Sequence, residues 1–356
     1  MLMQIAIIHH QLKLKGGMET YLLNLIQGFN QAEDQVTVFF YKKKKINSYP
    51  FCKIKRKNLS WLPRPLRRFW FASNLHHLKD LHNCHLKISL MRVFYQDITV
   101  CGGTHLGYLN YTGKKSSLID KLEIAYEKKS YLTSTFIVTH SKQLKDELIQ
   151  LYGIPEKKIL TCYPPINTDL FNQCYRPEKQ RYRTSYQIDA SKTAILFPST
   201  GHKRKGFSAL IEAMKLLPSD QYELIVAGSQ PQQTNLPNVK YVGFIQDMAT
   251  LYTACDLTIL PSYYEPFGLV VIESLECGTP VIISNQVGAK DLITENEGMI
   301  LENLSPEVIA STIKTASNFR FNIEPNFAKR KGLTIEAHIA RLKQLSNKFN
   351  QKEIGN

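Results

Sequence analysis

A repeated local pattern limits the fold of this chain more than any other feature. Short, unbroken runs of apolar and β-branched residues recur at 4–10 (QIAIIHH), 35–41 (QVTVFFY), 97–103 (DITVCGG), 135–141 (TFIVTHS) and 157–165 (KKILTCYPP). Helix-period segments at 17–30 and 117–133 lie between several of them. The second half repeats the scheme, with strand-like runs at 193–200, 222–229, 239–245, 256–262 and 279–284 and helical patterns at 205–218 and 247–255. Continuous apolar strands alternating with helices predict parallel sheets covered on both faces. Between the two series lies 176–189, which is charged and poor in aliphatic residues, and the hinge is expected at 168–177. The chain therefore reads as α/β, with two doubly wound Rossmann-like domains, 1–170 and 171–334, facing a cleft. The amphipathic segment within 335–356 is left open, either as a cap or as a return to the first domain. Open parallel sheets bind ligands beyond the carboxyl ends of their strands, so two such sheets suit a reaction between two substrates.

Charge is distributed unevenly. Of the net +15, residues 1–170 carry +13, from 25 basic and 12 acidic residues. No acidic residue occurs between Asp34 and Asp80, while 42–71 combines eleven cations with Phe51, Trp61, Phe69, Trp70 and Phe71. Cations interleaved with aromatic rings favour an anionic membrane surface, ahead of a solvated basic loop and ahead of nucleic acid. No run approaches the roughly 18 apolar residues of a membrane span. The N-terminal "MLMQIAIIHH" lacks a basic leader and reads as a buried strand, not a signal peptide. Seven cysteines, an odd number without C-x-x-C spacing, argue for a reducing cytosol and against a disulfide framework or zinc site.

One stretch, "SYYEPFGLVVIESLECGTPVIIS" (262–284), carries a chemical signal. Glu265 falls in a turn after a strand, Gly268 stands where a helix should begin, and Glu273 follows inside it. A helix start offers backbone N–H groups and a favourable dipole to an anion. At 1.5 Å per residue, Glu273 lies roughly 8 Å deeper along the axis. Two carboxylates flanking a phosphate-binding helix terminus suit a molecule with sugar hydroxyls at both ends and a diphosphate between them. The spacing alone is equally satisfied by glutamates on a solvated helix face.

The same stretch resembles the E-x7-E region of retaining GT-B glycosyltransferases, the nucleotide-sugar transferases called family 4. "GGMETYLLNLI" (16–26), "VTHSKQLKDELIQLYGIPEKKILTCYPPINTDLF" (138–171) and "STGHKRKGFSALIEAM" (199–214) match further family segments in order. "DITVCGGTHLGYL" (97–109) and the basic insertion look most like lipopolysaccharide-core hexosyltransferases. The resemblance implies that Glu265 holds donor-sugar hydroxyls and Glu273 the ribose hydroxyls. Phe267, Gly268 and Leu269 would present N–H groups to the sugar and diphosphate. Lys205, after Arg204, would neutralise the diphosphate. Many members carry a second basic residue six positions before this lysine. Ser199 stands there, leaving Arg204 or His202 to compensate. Gly16 and Gly17 would form the loop facing the diphosphate and acceptor, and His105 would orient the donor sugar.

The resemblance implies a retaining hexosyl transfer with no cofactor, and the absence of a D-x-D motif fits metal independence. The expected partners are a nucleotide diphosphate sugar and a glycolipid or oligosaccharide acceptor. The expected location is cytoplasmic, at the inner face of the membrane. His9 and His10 are assigned no role, and Glu265 and Lys205 are both expected to be solvent-accessible. Two alternatives remain: a nucleotide-sugar epimerase of the same fold, and a non-enzymatic polyanion-binding protein.

Overall fold

The computed structural model describes residues 2–11, 16–42, 51–230 and 236–353. It divides into two compact units, one of 1–165 with 333–356 and one of 166–332. The first break comes five residues before the 170/171 position suggested by the sequence.

The first unit contains a seven-stranded parallel sheet: β1 (Gln4–Ile8), β2 (Gln35–Phe40), β3 (Lys53–Arg56), β4 (Leu86–Ser89), β5 (Ile98–Cys101), β6 (Phe136–Thr139) and β7 (Ile159–Thr161). Their order is β3-β2-β1-β4-β5-β6-β7. The order reverses beside β1, as in doubly wound folds. Its helices are α1 (Gly17–Gln31), α2 (Arg64–Ser73), α3 (Lys79–His82), α4 (His105–Thr112), α5 (Leu118–Thr133) and α6 (Lys142–Gln150), with α13 (Ile335–Glu353) from the chain's end. The central strands bury both faces: Ile5 to Ile8 are all 0% exposed. That is why they read as continuous apolar runs.

The end of the chain belongs to this unit. Ile335, Ile339, Leu342 and Leu345 join the core beneath α1. Gly28 permits the approach, because a Cβ there would stand 2.5 Å from Ile335 Cγ2 and Ile339 Cγ1. The Tyr21 hydroxyl lies 2.7 Å from His338 Nε2, and Lys343 pairs with the buried Asp34 at 2.8 Å.

Much of the described part of the basic segment is regular structure, not a loop. Part of it, 43–50, lies outside the described residues. Beyond that part, β3 pairs with β2 as an edge strand, and α2 follows. Phe71 is buried in the core, and Phe69 packs edge-on against Tyr126. Phe51 and Trp61 remain exposed.

The second unit holds a six-stranded parallel sheet: β8 (Thr193–Ser199), β9 (Tyr222–Gly228), β10 (Val239–Gly243), β11 (Leu257–Leu260), β12 (Val281–Ser284) and β13 (Gly298–Leu301). Its order is β10-β9-β8-β11-β12-β13. The helices are α7 (Lys179–Ser185), α8 (Phe207–Lys215), α9 (Met248–Ala254), α10 (Leu269–Glu276), α11 (Pro306–Asn318) and α12 (Phe327–Arg330). The two faces of the sheet have separate cores, one under α8 and α11 and the other under α7 and α9. The reversal beside β8 opens the carboxyl ends of β8 and β11 to a ligand. Among the described residues, no helix is long and apolar enough to cross a membrane.

Candidate active site

The loop from β8 into α8 carries Arg204 and Lys205. Gly206 closes it with φ +78, and a Cβ there would collide with the Pro261 carbonyl oxygen at the end of β11. Both the left-handed backbone and the close approach call for glycine. This brings the loop against the turn after β11. There the Tyr263 N–H donates to the Arg204 carbonyl at 2.9 Å.

Within that turn, Arg204 NH1 donates to Glu265 Oε2 at 2.9 Å and to the Tyr264 carbonyl at 2.5 Å. Lys205 Nζ donates to the Pro198 carbonyl at 3.0 Å and stands 4.0 Å from Glu265 Oε2. Contrary to expectation, neither Lys205 nor Glu265 is freely accessible: Lys205 is 9% exposed and the Glu265 side chain 13%. Burial pushes the Lys205 ammonium below its ordinary range. Glu265 and Glu273 oppose that shift, while Arg204 adds to it.

Gly268 takes φ +91 and caps α10, whose first residue is Leu269. A side chain there would press on Val287, Glu265 and Leu260. Phe267 is buried beneath this helix start. The Gly288 N–H donates to the Glu265 carbonyl at 2.9 Å, and the Ala289 N–H to that of Phe267 at 2.8 Å. Those two bonds fix the turn on which Glu265 sits. Glu273, on the second turn of α10, accepts a 2.9 Å bond from the Tyr252 hydroxyl. Burial raises its carboxyl above the ordinary range, against the opposing pull of Tyr252 and Lys205. Glu276 is not on a solvated face. It is buried and accepts the Ala328 N–H at 2.7 Å.

The structure gathers Arg204, Lys205, Glu265, Phe267, Gly268, Leu269 and Glu273 at the carboxyl ends of β8 and β11. Ser199, in place of a cation, is buried. His202 donates to or accepts nothing from Glu265; its Nε2 lies 2.7 Å from the Ser229 carbonyl. Of Arg204 and His202, Arg204 is the one that joins Lys205 at Glu265. The roles of Tyr252 and the 286–289 turn gave no sequence signal, because they act from other elements.

Gly16, Gly17 and His105 belong to the first unit. Gly16, at φ +115, caps α1, and Gly17 begins it. His105 opens α4 under the Thr104 cap. Its Nε2 lies 2.7 Å from Asp120 Oδ1, and its N–H donates to Glu127 at 2.9 Å. The Ser117 hydroxyl and backbone, and then His105, hold the Asp120 carboxyl down to about 2. Glu127 is fully buried and also receives Arg92 and the Tyr152 hydroxyl. Beside these groups a cavity of about 450 Å³ is lined by His10, Met18, Arg68, Arg92, Gly103 and Tyr126. His9, His10 and Glu19, to which the sequence assigned no joint role, bring one possible ligand atom each within 4.8 Å of one another.

Both halves of the chain are those of a glycosyltransferase. The profile of Glycosyltransferase Family 4 matches residues 15–170, and that of Glycosyl transferases group 1 matches 178–329. A probable transglycosylase of Burkholderia thailandensis is 35% identical over 299 residues, covering 84% of this chain and 82% of the relative. An O-antigen chain mannosyltransferase B of Escherichia coli is 27% identical over 201 residues, about half of each chain. Among solved structures, WaaG, a glycosyltransferase involved in lipopolysaccharide biosynthesis, superposes with a TM-score of 0.76 at 16% identity, over 96% of this chain and 94% of WaaG. Anabaena HepE, solved in complex with UDP and glucose, gives a TM-score of 0.71 at 16% identity, over 99% of this chain and 100% of that one. The chain belongs to the family 4, group 1 glycosyltransferases and has the GT-B fold.

Proposed function

We propose that this protein is a retaining glycosyltransferase that moves a hexose from a nucleotide diphosphate sugar to a glycolipid or polysaccharide acceptor, without a metal ion. The reading places it in lipopolysaccharide-core or other cell-envelope glycan synthesis, at the cytoplasmic face of the membrane. The observation that carries it is the joining of Arg204, Lys205 and Glu265 at a helix start opened by Gly268. The UDP bound to the Anabaena neighbour supports a nucleotide donor.

In this reading the sugar's bond to the diphosphate breaks, and its electron pair passes to the phosphate oxygen. Lys205, Arg204 and the N-terminus of α10 stabilise the charge that develops there. The acceptor oxygen attacks on the same face and gives its proton to the departing phosphate, so the anomeric configuration is kept. Glu265 and Glu273 are each held by a donor, Arg204 and Tyr252 respectively. That arrangement suits gripping hydroxyls better than nucleophilic attack. Phe267 and Leu269 offer their backbone at the phosphate end. Gly16, Gly17, His105 and the neighbouring cavity serve the acceptor and the sugar.

The test is incubation with candidate nucleotide sugars and acceptor lipid, with and without EDTA, followed by NMR of the product. Retained configuration in both arms is expected. An inverted linkage, activity lost with EDTA, or turnover of donor to an epimer without acceptor would each refute part of the reading. Lys205→Ala and Glu265→Gln are expected to lower kcat by about 10²–10³.

A further inference from the structure

The second unit's sheet has another end. Thr193 at the start of β8, Leu257 at the start of β11 and Pro280 just before β12 line a separate cavity of about 750 Å³. The donor groups sit at the opposite ends of the same strands. With β8 seven residues long, the two places lie about 20 Å apart.

The cavity is strongly cationic. Arg176, Lys179, Arg183, Lys192 and Arg320 line it, and Asp256 is its one acidic lining residue. Asp256 is fully engaged: it takes Lys179 at 2.6 Å, Arg183 at 2.8 Å and the Ala194 N–H at 2.8 Å. Lys192 lies 3.8 Å from Asp189, outside the lining. With Asp189 beside the lining, two carboxylates offset five cations. Arg183 builds the wall: it is 4% exposed, and its guanidinium donates to Asp256 and to the Asp189 and Lys192 carbonyls. Lys179 and Lys192 are half-buried and Arg176 and Arg320 exposed, so these four turn charged surface to the cavity.

The size falls within the range of small-molecule sites, roughly 300–1,000 Å³. A surplus of three positive charges calls for more than one negative charge. Guanidinium forks and ammonium groups match phosphate oxygens. We propose that this cavity is a second ligand site, distinct from the donor site, for a multiply charged phosphate-bearing small anion.

The probe is inorganic pyrophosphate, titrated calorimetrically into the full chain, Lys205→Ala and the double variant Lys192→Glu/Arg320→Glu. Lys192 is half-buried and Arg320 exposed, and circular dichroism verifies that each variant is folded. Lys205→Ala is expected to keep saturable binding, and the double variant to bind at least tenfold more weakly in that site while keeping nucleoside-diphosphate affinity. Arg176→Gln, which removes a cation and adds none of opposite sign, is expected to weaken it severalfold. Pyrophosphate binding unchanged in the double variant, or abolished by Lys205→Ala alone, would overturn the proposal. A vesicle arm separates the two sources of phosphate. If the ligand is a lipid headgroup, the double variant loses sedimentation with phosphatidylglycerol vesicles. If the ligand is a free phosphate compound, sedimentation is unchanged.

Discussion

At the scale of single residues, the proposed donor roles of Lys205 and Glu273 would set opposite limits on binding. In that proposal Lys205 must be protonated to meet a diphosphate, and burial lowers its pKa. As pH rises through that lowered value, binding must take up a proton, and affinity falls. In the same proposal Glu273 must be ionised to accept ribose hydroxyls, and burial raises its pKa. As pH falls through that raised value, the carboxylate is lost, and affinity falls again. Nucleoside-diphosphate affinity, measured by calorimetry across pH, is therefore expected to be bell-shaped. Glu273→Gln is expected to flatten the acid limb, leaving only the phosphate's own titration, and Lys205→Met the alkaline one. Most of these residues were legible in the chain, because Glu265, Gly268 and Glu273 share one stretch and the KG pair follows a strand. Their environment was not. The partner of Glu265 is 61 residues away and that of Glu273 is 21 away. Pairings across such separations arise from packing, which no local pattern encodes, and they explain why two groups expected in solvent are largely withdrawn from it.

At the scale of elements, strands that run continuously apolar through the sheet centre, such as β1 and β8, were legible for the reason that makes them central. The edge strand β3, KIKR, has an exposed and cationic pattern. It is a strand only because β2 offers it a ladder, and a charged edge of this kind resists pairing with other chains. β4 (LKIS) interrupts its apolar run with Lys87 and β13 (GMIL) opens on a glycine, so neither stands out as the equally short β5 and β6 do. Two elements invite direct tests. In the loop entering α8, Gly206→Ala must add a Cβ at φ +78 against a carbonyl, whereas Gly201→Ala meets open space. Gly206→Ala is expected to cost about 1–2 kcal/mol for the backbone alone and to weaken donor binding, with Gly201→Ala near neutral. Thermal unfolding and calorimetry read both. On α5, Leu118, Ile119 and Leu122 are 69–79% exposed, and Lys114, Lys115 and Lys121 flank them. An apolar first turn ringed by cations suits a membrane interface. Leu118→Ser/Ile119→Ser is expected to lower sedimentation with anionic vesicles at least fivefold without altering nucleotide affinity. Equal sedimentation of wild type and variant would remove α5 from the membrane surface.

At the scale of the whole molecule, the two units hold separate cores. Among the described residues, five core clusters keep to one unit each: three draw on 1–165 and 333–356, and two on 166–332. Chains built this way need not unfold in one step. Calorimetric melting is expected to resolve two transitions, and a nucleoside diphosphate should move only the one that contains Lys205 and Glu265. At a hundredfold excess over Kd, ligand stabilises by about 2.7 kcal/mol, which for a unit of this size raises Tm by roughly 5–10 °C. The end of the chain supplies the converse test. Ile335, Ile339, Leu342 and Leu345 are at most 5% exposed. Each is worth about 1.5–3 kcal/mol of burial, and together they rival the whole stability of an ordinary domain, about 5–15 kcal/mol. Deleting 333–356 should therefore abolish the first unit's transition while leaving the ligand-sensitive one at its original Tm. A deletion that lowered the ligand-sensitive transition instead would mean that α13 stabilises the 166–332 unit, and the chain would not divide at 165 and 333.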